Sequence, residues 1–281
     1  MLEHTVPLEM LLTLKPEGSV AVWSTALQHL ASWDTMLGEG QGRAGLHRLI
    51  LHVTSTIYSS LGWQDSGGHV TKLLRQKILK AVVKAGHTEA IAKAKAMFAD
   101  LMAGKGTVAA NLQELVYSVG VAEGGVEEWE WCWHRYTTTN VPSERSNLLK
   151  ALGETREVFT IQRYLDMTLD QKLVRGQDVQ TVLAALAANP AGTLPAWRHL
   201  QRHWRDIFQM FHSGSFTMGH IIKAVPCHFS TEFDYSQVQA FFAGRDVGAG
   251  KLVLRQTLEE IQVTWLHLSP VTCLTLECLN C

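Results

Sequence analysis

One segment, from Val182 to Trp204, constrains the fold of this chain more than any other. It begins with an apolar run that is typical of a buried helix and then turns sharply at a group of helix-breaking residues. Beyond the turn, large apolar side chains recur every three or four residues: Trp197, Leu200, Trp204, Phe208 and Phe211. That interval places all of them on one face of a single helix. The segment therefore predicts an α-hairpin, two helices joined by a tight corner, with an aromatic seam along the second helix.

Each residue of the corner suits a different part of the turn. Asn189 tolerates the left-handed conformation that ends many helices, and Pro190 cannot continue a helix. Gly192 bends freely, and Thr193 is a suitable cap for the next helix. Pro195 is tolerated in the first helical turn, where backbone N–H groups lack partners in any case. We therefore expect the first helix to end at Asn189 and the second to begin near Thr193.

Most of the remaining chain shows the same organisation. Amphipathic stripes of about 12 to 18 residues, a normal helix length, alternate with breaks marked by glycine or proline. No segment alternates apolar with polar residues, so no sheet is expected. No fixed sequence period is visible, which argues against ankyrin and tetratricopeptide arrays. The predicted fold is all-α, an irregular α-solenoid of antiparallel helix pairs similar to a HEAT or armadillo superhelix.

The same pattern predicts three regions. Residues 1–15 are expected to form an extended N-terminal segment, and residues 16–268 a single solenoid domain. Ser269-Pro270 is expected to end the last helix. The remaining residues, 269–281, are predicted to be a disordered tail that contains cysteines.

Composition excludes several classes of protein. The 281 residues are 46% hydrophobic and 18% charged, which is typical of a globular chain. The net charge is −1 and the basic residues are scattered, which argues against nucleic-acid binding. The N-terminus lacks the pattern of a secretory signal, and no apolar run is long enough for a membrane helix. A signal could still lie upstream if this chain is a piece of a longer protein, so the compartment stays open.

Two groups of residues invite a metal-binding interpretation. His199 and His203 lie four residues apart on one helical face, a spacing that suits zinc. A zinc protease places a glutamate directly after the first histidine as general base, but Leu200 stands there, and no third ligand follows nearby. Three of the five cysteines crowd into the last nine residues, at Cys273, Cys278 and Cys281, without the spacing of a zinc ribbon or of a disulfide framework. We therefore predict no metal ligand, no cofactor and no catalytic residue in this chain.

The nine tryptophans admit two interpretations. They could line an aromatic ligand cage, but at helical spacing tryptophan is more often a wedge between packed helices. We predict wedges.

The order of several motifs resembles the C-terminal helical domain of zinc aminopeptidases of the aminopeptidase N type. That group includes aminopeptidase N, glutamyl aminopeptidase, laeverin and the endoplasmic-reticulum aminopeptidases. The strongest matching blocks are Asn189-Pro190-x-Gly192 with Ala196-Trp197 and Trp204, and His228-Phe229-Ser230-Thr231-Glu232-Phe233. The residues taken as the structural signature of the resemblance are Trp23, Trp129, Asn189, Gly192, Trp197, Trp204, Phe229 and Trp265. The resemblance covers residues 5–267, and it departs from the family at His203, where many relatives carry asparagine.

The resemblance implies an α-solenoid bowl that closes over a separate zinc-containing catalytic domain, which removes N-terminal residues from peptides. The zinc motif H-E-x-x-H belongs to that other domain and does not occur in this sequence. No catalytic residue of the family can be carried over to this chain. Its implied partners are the catalytic domain and, through it, a peptide substrate.

Two functions therefore stay open. The first is the non-catalytic C-terminal domain of a zinc aminopeptidase, present as a fragment or a truncated product. The alternative is a stand-alone α-solenoid scaffold that binds a protein or peptide partner. Peptide-binding residues are unknown, because the sequence does not assign helices to a concave face; Arg198, His220 and Lys223 are candidate polar contacts.

Overall fold

The computed structural model describes residues 5–37, 41–211 and 216–278. Within these ranges the chain forms helices and their connections, and no strand occurs there. The α-helices, in chain order, are α1 Thr5–Leu12, α2 Val20–Leu37, α3 Gln41–Leu61, α4 His69–Lys84, α5 Thr88–Met102, α6 Ala110–Glu123, α7 Val126–Thr138, α8 Pro142–Leu152, α9 Val158–Met167, α10 Gly176–Ala188, α11 Thr193–Arg202, α12 Trp204–Phe211, α13 Thr217–Ala224, α14 Glu232–Phe242 and α15 Lys251–Cys278. A short 3-10 helix covers Gly248–Gly250.

Neighbouring helices pack in pairs. Helix α3 packs against α4, α7 against α8, and α10 against α11, and short loops join the members of each pair. Short connections between packed helices make them antiparallel. The prediction of an all-α fold of solenoid type is confirmed.

The chain divides into two compact units. Unit 1 contains the described residues up to Val116 together with those from His267 onward, and unit 2 spans Tyr117–Leu266. The single domain expected over residues 16–268 stays a prediction.

Unit 1 has an apolar core formed by α2, α3 and α4. Trp23 is fully buried there, and its indole Nε1 donates a hydrogen bond to the backbone carbonyl of Glu17 at 2.9 Å. The side chains around it come from one stripe of each helix: Leu49, Val53, Ile57, Leu74, Ile78 and Val82. Burial of such stripes is the main source of stability for helices of this length.

Unit 2 is built around α10. This helix contacts α8, α9, α11 and α13. Its buried face consists of Val179, Val182, Leu183, Leu186 and Ala187. The apolar run that stood out in the sequence is therefore the most central helix of its unit.

The two ends of the described chain differ from the sequence-based expectation. Residues 5–12, expected to be extended, form α1. Pro7 does not prevent this, because it lies in the first turn, where a missing N–H breaks no helical hydrogen bond. The backbone of α15 also continues past Ser269-Pro270 to Cys278, so the tail predicted to be disordered is helical as far as that residue. An interior proline removes one backbone hydrogen bond and distorts a helix, but the helix can resume beyond it. Residues 279–281 lie outside the described residues.

No helix in the described ranges combines the length and the apolar character needed to cross a bilayer.

Candidate functional site

The corner between α10 and α11 is held by the side chain of Asn189. Its Nδ2 donates to the backbone carbonyls of Gly153 at 2.9 Å and Thr155 at 2.6 Å. Its Oδ1 accepts from the backbone N–H of Ala191 at 3.0 Å. The residue is buried, so these bonds satisfy groups that water does not reach. Asn189 thus connects the α10–α11 corner to the loop between α8 and α9.

The backbone of the corner differs from what we expected. Asn189 is extended, with φ −82° and ψ 123°, rather than left-handed. The reason is Pro190, since the residue before a proline is pushed into the extended region. Gly192 has ordinary helical angles, φ −95° and ψ −19°. Glycine is needed there for space, because a Cβ atom would lie 2.3 Å from the carbonyl oxygen of Leu186.

Thr193 also differs from its expected role. Its hydroxyl lies 2.9 Å from the carbonyl oxygen of Ala187 and 3.0 Å from that of Asn189. The hydroxyl of Thr193 therefore lies within hydrogen-bond distance of carbonyls at the C-terminal end of α10. The N-cap of α11 is Gly192 instead. Pro195 occupies the first turn of α11, as predicted.

The second helix of the predicted hairpin is two helices. It breaks at His203, whose φ of −107° and ψ of 19° are not helical, so α11 ends at Arg202 and α12 begins at Trp204. Trp197 remains buried in the expected seam, with ring centroids 5.5 Å from Phe229 and 5.3 Å from Phe241, in edge-to-face geometry.

The remaining residues of the structural signature differ in burial. Trp129 is fully buried, and its Nε1 donates to the carbonyl of Leu152 at 3.1 Å. Trp204 is half-buried, with its ring 5.2 Å from that of Phe242. Trp265 on α15 is also half-buried. Trp23, Trp129 and Trp197 are thus buried in the packed interior, the position that the wedge interpretation requires.

Sequence reasoning missed a groove on unit 1, which we call the α2–α4 groove. Its volume is about 460 Å³, and its lining combines apolar side chains with three lysines: Leu27, Leu30, Ile50, Lys77, Lys80 and Lys84. The three lysines share one side of α4, a spacing that could have been found in the sequence. Lys80 pairs with Glu114 at 2.7 Å, and Lys77 is exposed.

A buried carboxylate forms one wall of the α2–α4 groove. Asp34 is only 4% exposed, and Arg43 Nε and His47 Nε2 lie 2.7 Å from its Oδ1. Lys84 Nζ lies 3.0 Å from its Oδ2. Burial alone would raise the pKa of Asp34, but hydrogen bonds from Arg43, Lys84 and His47 outweigh it and hold the pKa well below its usual range.

Unit 2 contains a second buried carboxylate. Glu144 accepts hydrogen bonds from Tyr117 Oη at 2.9 Å, Arg135 Nε at 2.8 Å and Thr139 Oγ1 at 2.5 Å. Burial would raise the pKa of Glu144, but these three donors lower it overall. Burial and the nearby carboxylate also raise the pKa of Tyr117. This arrangement leaves no acid free to exchange protons near neutral pH, so it is structural.

The two histidines considered as metal ligands do lie together. Their ring centroids are 4.8 Å apart, and His199 is buried whereas His203 is half-buried. Burial and the neighbouring His203 lower the pKa of His199 to about 4, so its ring is neutral at pH 7. A third group, the carboxylate of Asp166 on α9, lies beside them.

The candidate peptide contacts are at the surface. Arg198 on α11 and His220 on α13 are exposed. Lys223 on α13 is exposed too, but its Nζ pairs with Glu260 at 2.8 Å. His220 and Lys223 lie three residues apart on α13, whereas Arg198 lies on α11.

Comparison with known proteins finds the same family that the order of the sequence motifs indicated. The model of the family described as ERAP1-like C-terminal domain matches residues 2–263. Glutamyl aminopeptidase of Mus musculus is 30% identical over 275 residues, which cover 96% of this chain and 29% of that protein. Glutamyl aminopeptidase of Rattus norvegicus is 35% identical over 218 residues, covering 76% of this chain and 23% of that protein. Aminopeptidase N of Canis lupus familiaris is 28% identical over 270 residues, covering 91% of this chain and 27% of that protein.

These relatives are much longer than the chain, which spans less than a third of their length. The family model matches nearly the whole chain, and the described residues of that matched part form helices and their connections. The chain therefore belongs to the ERAP1-like C-terminal domain family, the family of the C-terminal domain found in aminopeptidases of the glutamyl aminopeptidase and aminopeptidase N type.

Proposed function

We propose that this chain is the non-catalytic C-terminal domain of a zinc aminopeptidase and that it caps the peptide-binding cavity of a separate catalytic domain. That catalytic domain would remove N-terminal residues from peptides. The observation that carries the proposal is the pattern of coverage. The family match extends over residues 2–263, while the chain corresponds to only 29% of mouse glutamyl aminopeptidase.

The residues of this chain do not fit the catalytic zinc of such enzymes. The sequence has no H-E-x-x-H motif. In the nearest approximation, His199 to His203, Leu200 occupies the position of the general base and is fully buried. A buried leucine can neither accept a proton nor orient a water molecule. The chain's own contribution is therefore to bind, to shape a cavity and to exclude water.

The proposal is tested by recombining the chain with a partner. The isolated chain, with and without added Zn²⁺, is assayed on aminoacyl p-nitroanilides, and we expect no turnover. The chain is then mixed with a glutamyl aminopeptidase that lacks its own C-terminal domain. We expect co-elution in size-exclusion chromatography and a changed ratio of rates on long peptides relative to the p-nitroanilide. Turnover by the chain alone, or the lack of both a complex and a change in that ratio, would refute the proposal.

The three exposed polar residues allow a finer test in the same mixture. If Arg198 and His220 contact the peptide, alanine at either position raises KM for a long peptide and leaves KM for the p-nitroanilide unchanged. Lys223 is the comparison, because its charge is already paired with Glu260.

The α2–α4 groove favours the alternative function, a scaffold that binds a partner without a catalytic domain. Its apolar floor and the exposed Lys77 suit an amphipathic peptide with an acidic residue, whereas Lys80 and Lys84 are already paired with Glu114 and Asp34. A scaffold predicts that the isolated chain binds such a peptide and that Lys77→Glu weakens the binding. An accessory domain predicts no such binding and a complex with the catalytic domain instead.

A further inference from the structure

Three side chains with metal-binding atoms converge at the C-terminal ends of α9 and α11. Asp166 comes from the last turn of α9, His199 from the last turn of α11, and His203 from the break between α11 and α12. One ligand atom from each residue lies within 4.8 Å of the other two. The third ligand that the sequence did not supply is thus located 33 residues before His199, on another helix.

The hydrogen bonds around His199 fix which ring nitrogen carries the proton. The hydroxyl of Thr168 donates to the carbonyl of Leu165 at 2.6 Å. That hydroxyl has one proton, so towards His199 Nε2, at 3.3 Å, it can act only as an acceptor. Nε2 therefore carries the hydrogen, and Nδ1 carries an unshared electron pair. This arrangement is the one in which an outer partner orients a metal-binding histidine.

The unshared pair of His199 Nδ1 has no hydrogen-bond partner within the described residues, although the side chain is only 1% exposed. It faces Asp166 Oδ1 at 3.9 Å, so two electron-rich atoms oppose each other with no proton between them. A buried acceptor without a partner is costly. A cation beside Nδ1 would take up its unshared pair, and the neighbouring carboxylate of Asp166 would neutralise part of its charge.

The two remaining ligands have room to move. Asp166 is exposed, and Gln162 Nε2 donates to its Oδ1 at 2.9 Å, which leaves Oδ2 available. His203 is half-buried, and its Nδ1 lies 3.6 Å from Asp206 Oδ2, too far for a good hydrogen bond. Ligands about 2.0–2.2 Å from one zinc ion stand about 3.3 Å apart in a tetrahedron. From separations of up to 4.8 Å the site therefore requires Asp166 and His203 to move closer by about 1.5 Å, while the buried His199 stays in place.

We propose that Asp166, His199 and His203 bind one divalent transition-metal ion, with Zn²⁺ the best match, and that a water molecule completes the coordination. Two imidazoles and one carboxylate are ligands that suit zinc, and they do not suit the harder ions Ca²⁺ and Mg²⁺. The ion joins the end of α9 to the break between α11 and α12. Since Leu200 replaces the general base, the site has a structural role.

The test uses the complete chain, freed of metal by a chelator and of any affinity tag. Titration with ZnCl₂ in a calorimeter is expected to show one saturable site, and bound Zn²⁺ is expected to raise the melting temperature. CoCl₂ is expected to give the visible absorption of a four-coordinate nitrogen and oxygen site. MgCl₂ serves as the negative control.

Substitutions at Asp166 and His203 locate the ion. His203→Asn and Asp166→Asn are expected to weaken Zn²⁺ binding by more than the roughly 10- to 100-fold that loss of an outer partner causes. Thr168→Val keeps the shape but removes the acceptor that orients His199, and it is expected to fall within that 10- to 100-fold range. His134→Asn and Asp170→Asn, both exposed in unit 2, are the matched controls and are expected to bind like the parent chain.

Circular dichroism without metal confirms that each variant is folded. His203→Asn is expected to melt with the parent chain in chelator and to lose only the rise caused by Zn²⁺. The proposal is overturned if no saturable binding occurs, or if Zn²⁺ binds the two ligand variants as tightly as the controls. The second result would place the ion on other groups, such as the cysteines.

Discussion

Replacement of Asn189 by alanine or by aspartate separates two contributions to the stability of unit 2. Alanine removes all three hydrogen bonds that the side chain makes, to the carbonyls of Gly153 and Thr155 and to the N–H of Ala191. Aspartate keeps the size and the acceptor for Ala191. It also places a carboxylate oxygen next to the carbonyl oxygens of Gly153 and Thr155, which accept hydrogen bonds from Nδ2 in the parent chain.

The structure gives the size of each effect. Three hydrogen bonds at about 1 kcal/mol each predict a loss of about 3 kcal/mol for Asn189→Ala. A buried charge without a partner costs about 3–5 kcal/mol, so Asn189→Asp is expected to be at least as destabilising at pH 7. Either loss is a large fraction of the roughly 5–15 kcal/mol that stabilises a typical domain.

The measurement is the free energy of unfolding from urea titrations followed by circular dichroism, extrapolated to water. Asn140, which is exposed in the same unit, provides the control. Its replacement by alanine or aspartate is expected to change the free energy by less than about 0.5 kcal/mol.

The pH dependence makes the test sharper. The carboxyl group introduced by Asn189→Asp is buried against two oxygens, which raises its pKa above the unfolded value. Below the unfolded pKa of about 3.9 it is protonated in both states and can donate to one carbonyl, so part of the loss is recovered as the pH falls. The deficit relative to the parent chain should shrink from pH 7 towards pH 4. A deficit under about 1 kcal/mol for both variants would refute the role assigned to this side chain.

Three further predictions follow from packing and ionisation. Gly192→Ala forces a Cβ to within 2.3 Å of a backbone oxygen and is expected to cost about 1–3 kcal/mol in urea unfolding, whereas Gly106→Ala, with open space around it, should be nearly neutral. Glu144→Gln should destabilise the chain by about 3 kcal/mol at pH 7, whereas the exposed Glu127→Gln should not. The lowered pKa of Glu144 means that its contribution is present above the unfolded pKa of about 4.3 and is lost as the pH falls through the folded pKa, so the variant and parent curves should converge in acid. Burial raises the pKa of the Cys132 thiol, so we expect iodoacetamide at pH 7.5 to leave this cysteine unalkylated in the native chain and to alkylate it once denaturant is added. Peptide mapping measures the alkylation, and labelling of the native chain at the rate of free cysteine would contradict the prediction.

The helical fold could be predicted because its evidence is local. Apolar stripes at intervals of three and four identify helices wherever they occur, and the family followed from the order of short blocks around Asn189 and Trp197. The family match and the helical structure confirm both predictions.

The errors occurred where one local rule overrides another. Asn189 was expected to be left-handed, but the proline after it favours an extended backbone. The side chains predicted to form one seam, from Trp197 to Phe211, are still buried or half-buried although the helix breaks at His203. One non-helical residue between α11 and α12 therefore leaves the apolar side chains of both helices facing the interior. The N-terminal segment was expected to be extended, but Pro7 stands in the first turn of α1, where it is compatible with a helix.

The candidate sites could be predicted only in part, because the sequence shows the spacing of His199 and His203 but not the contacts between residues distant in sequence. Asp166 is 33 residues from His199, and no spacing rule connects them. Likewise, the sequence does not indicate that Asp34 meets both Arg43 and Lys84 across three helices. Such pairs are set by how the helices pack, which the stripes alone do not specify.

The carboxylate of Glu144 bears on how unit 2 opens. Its partners belong to α6, to α7 and to the loop that follows α7, while the acid itself lies on α8. Detaching α7 would remove Arg135 and leave the ionised Glu144 with fewer donors in a poorly hydrated interior, and detaching α8 would break all three hydrogen bonds of the carboxylate. Local fraying of α7 or α8 alone is therefore disfavoured, and their slowest amide protons should exchange at a common rate, as a single cooperative block.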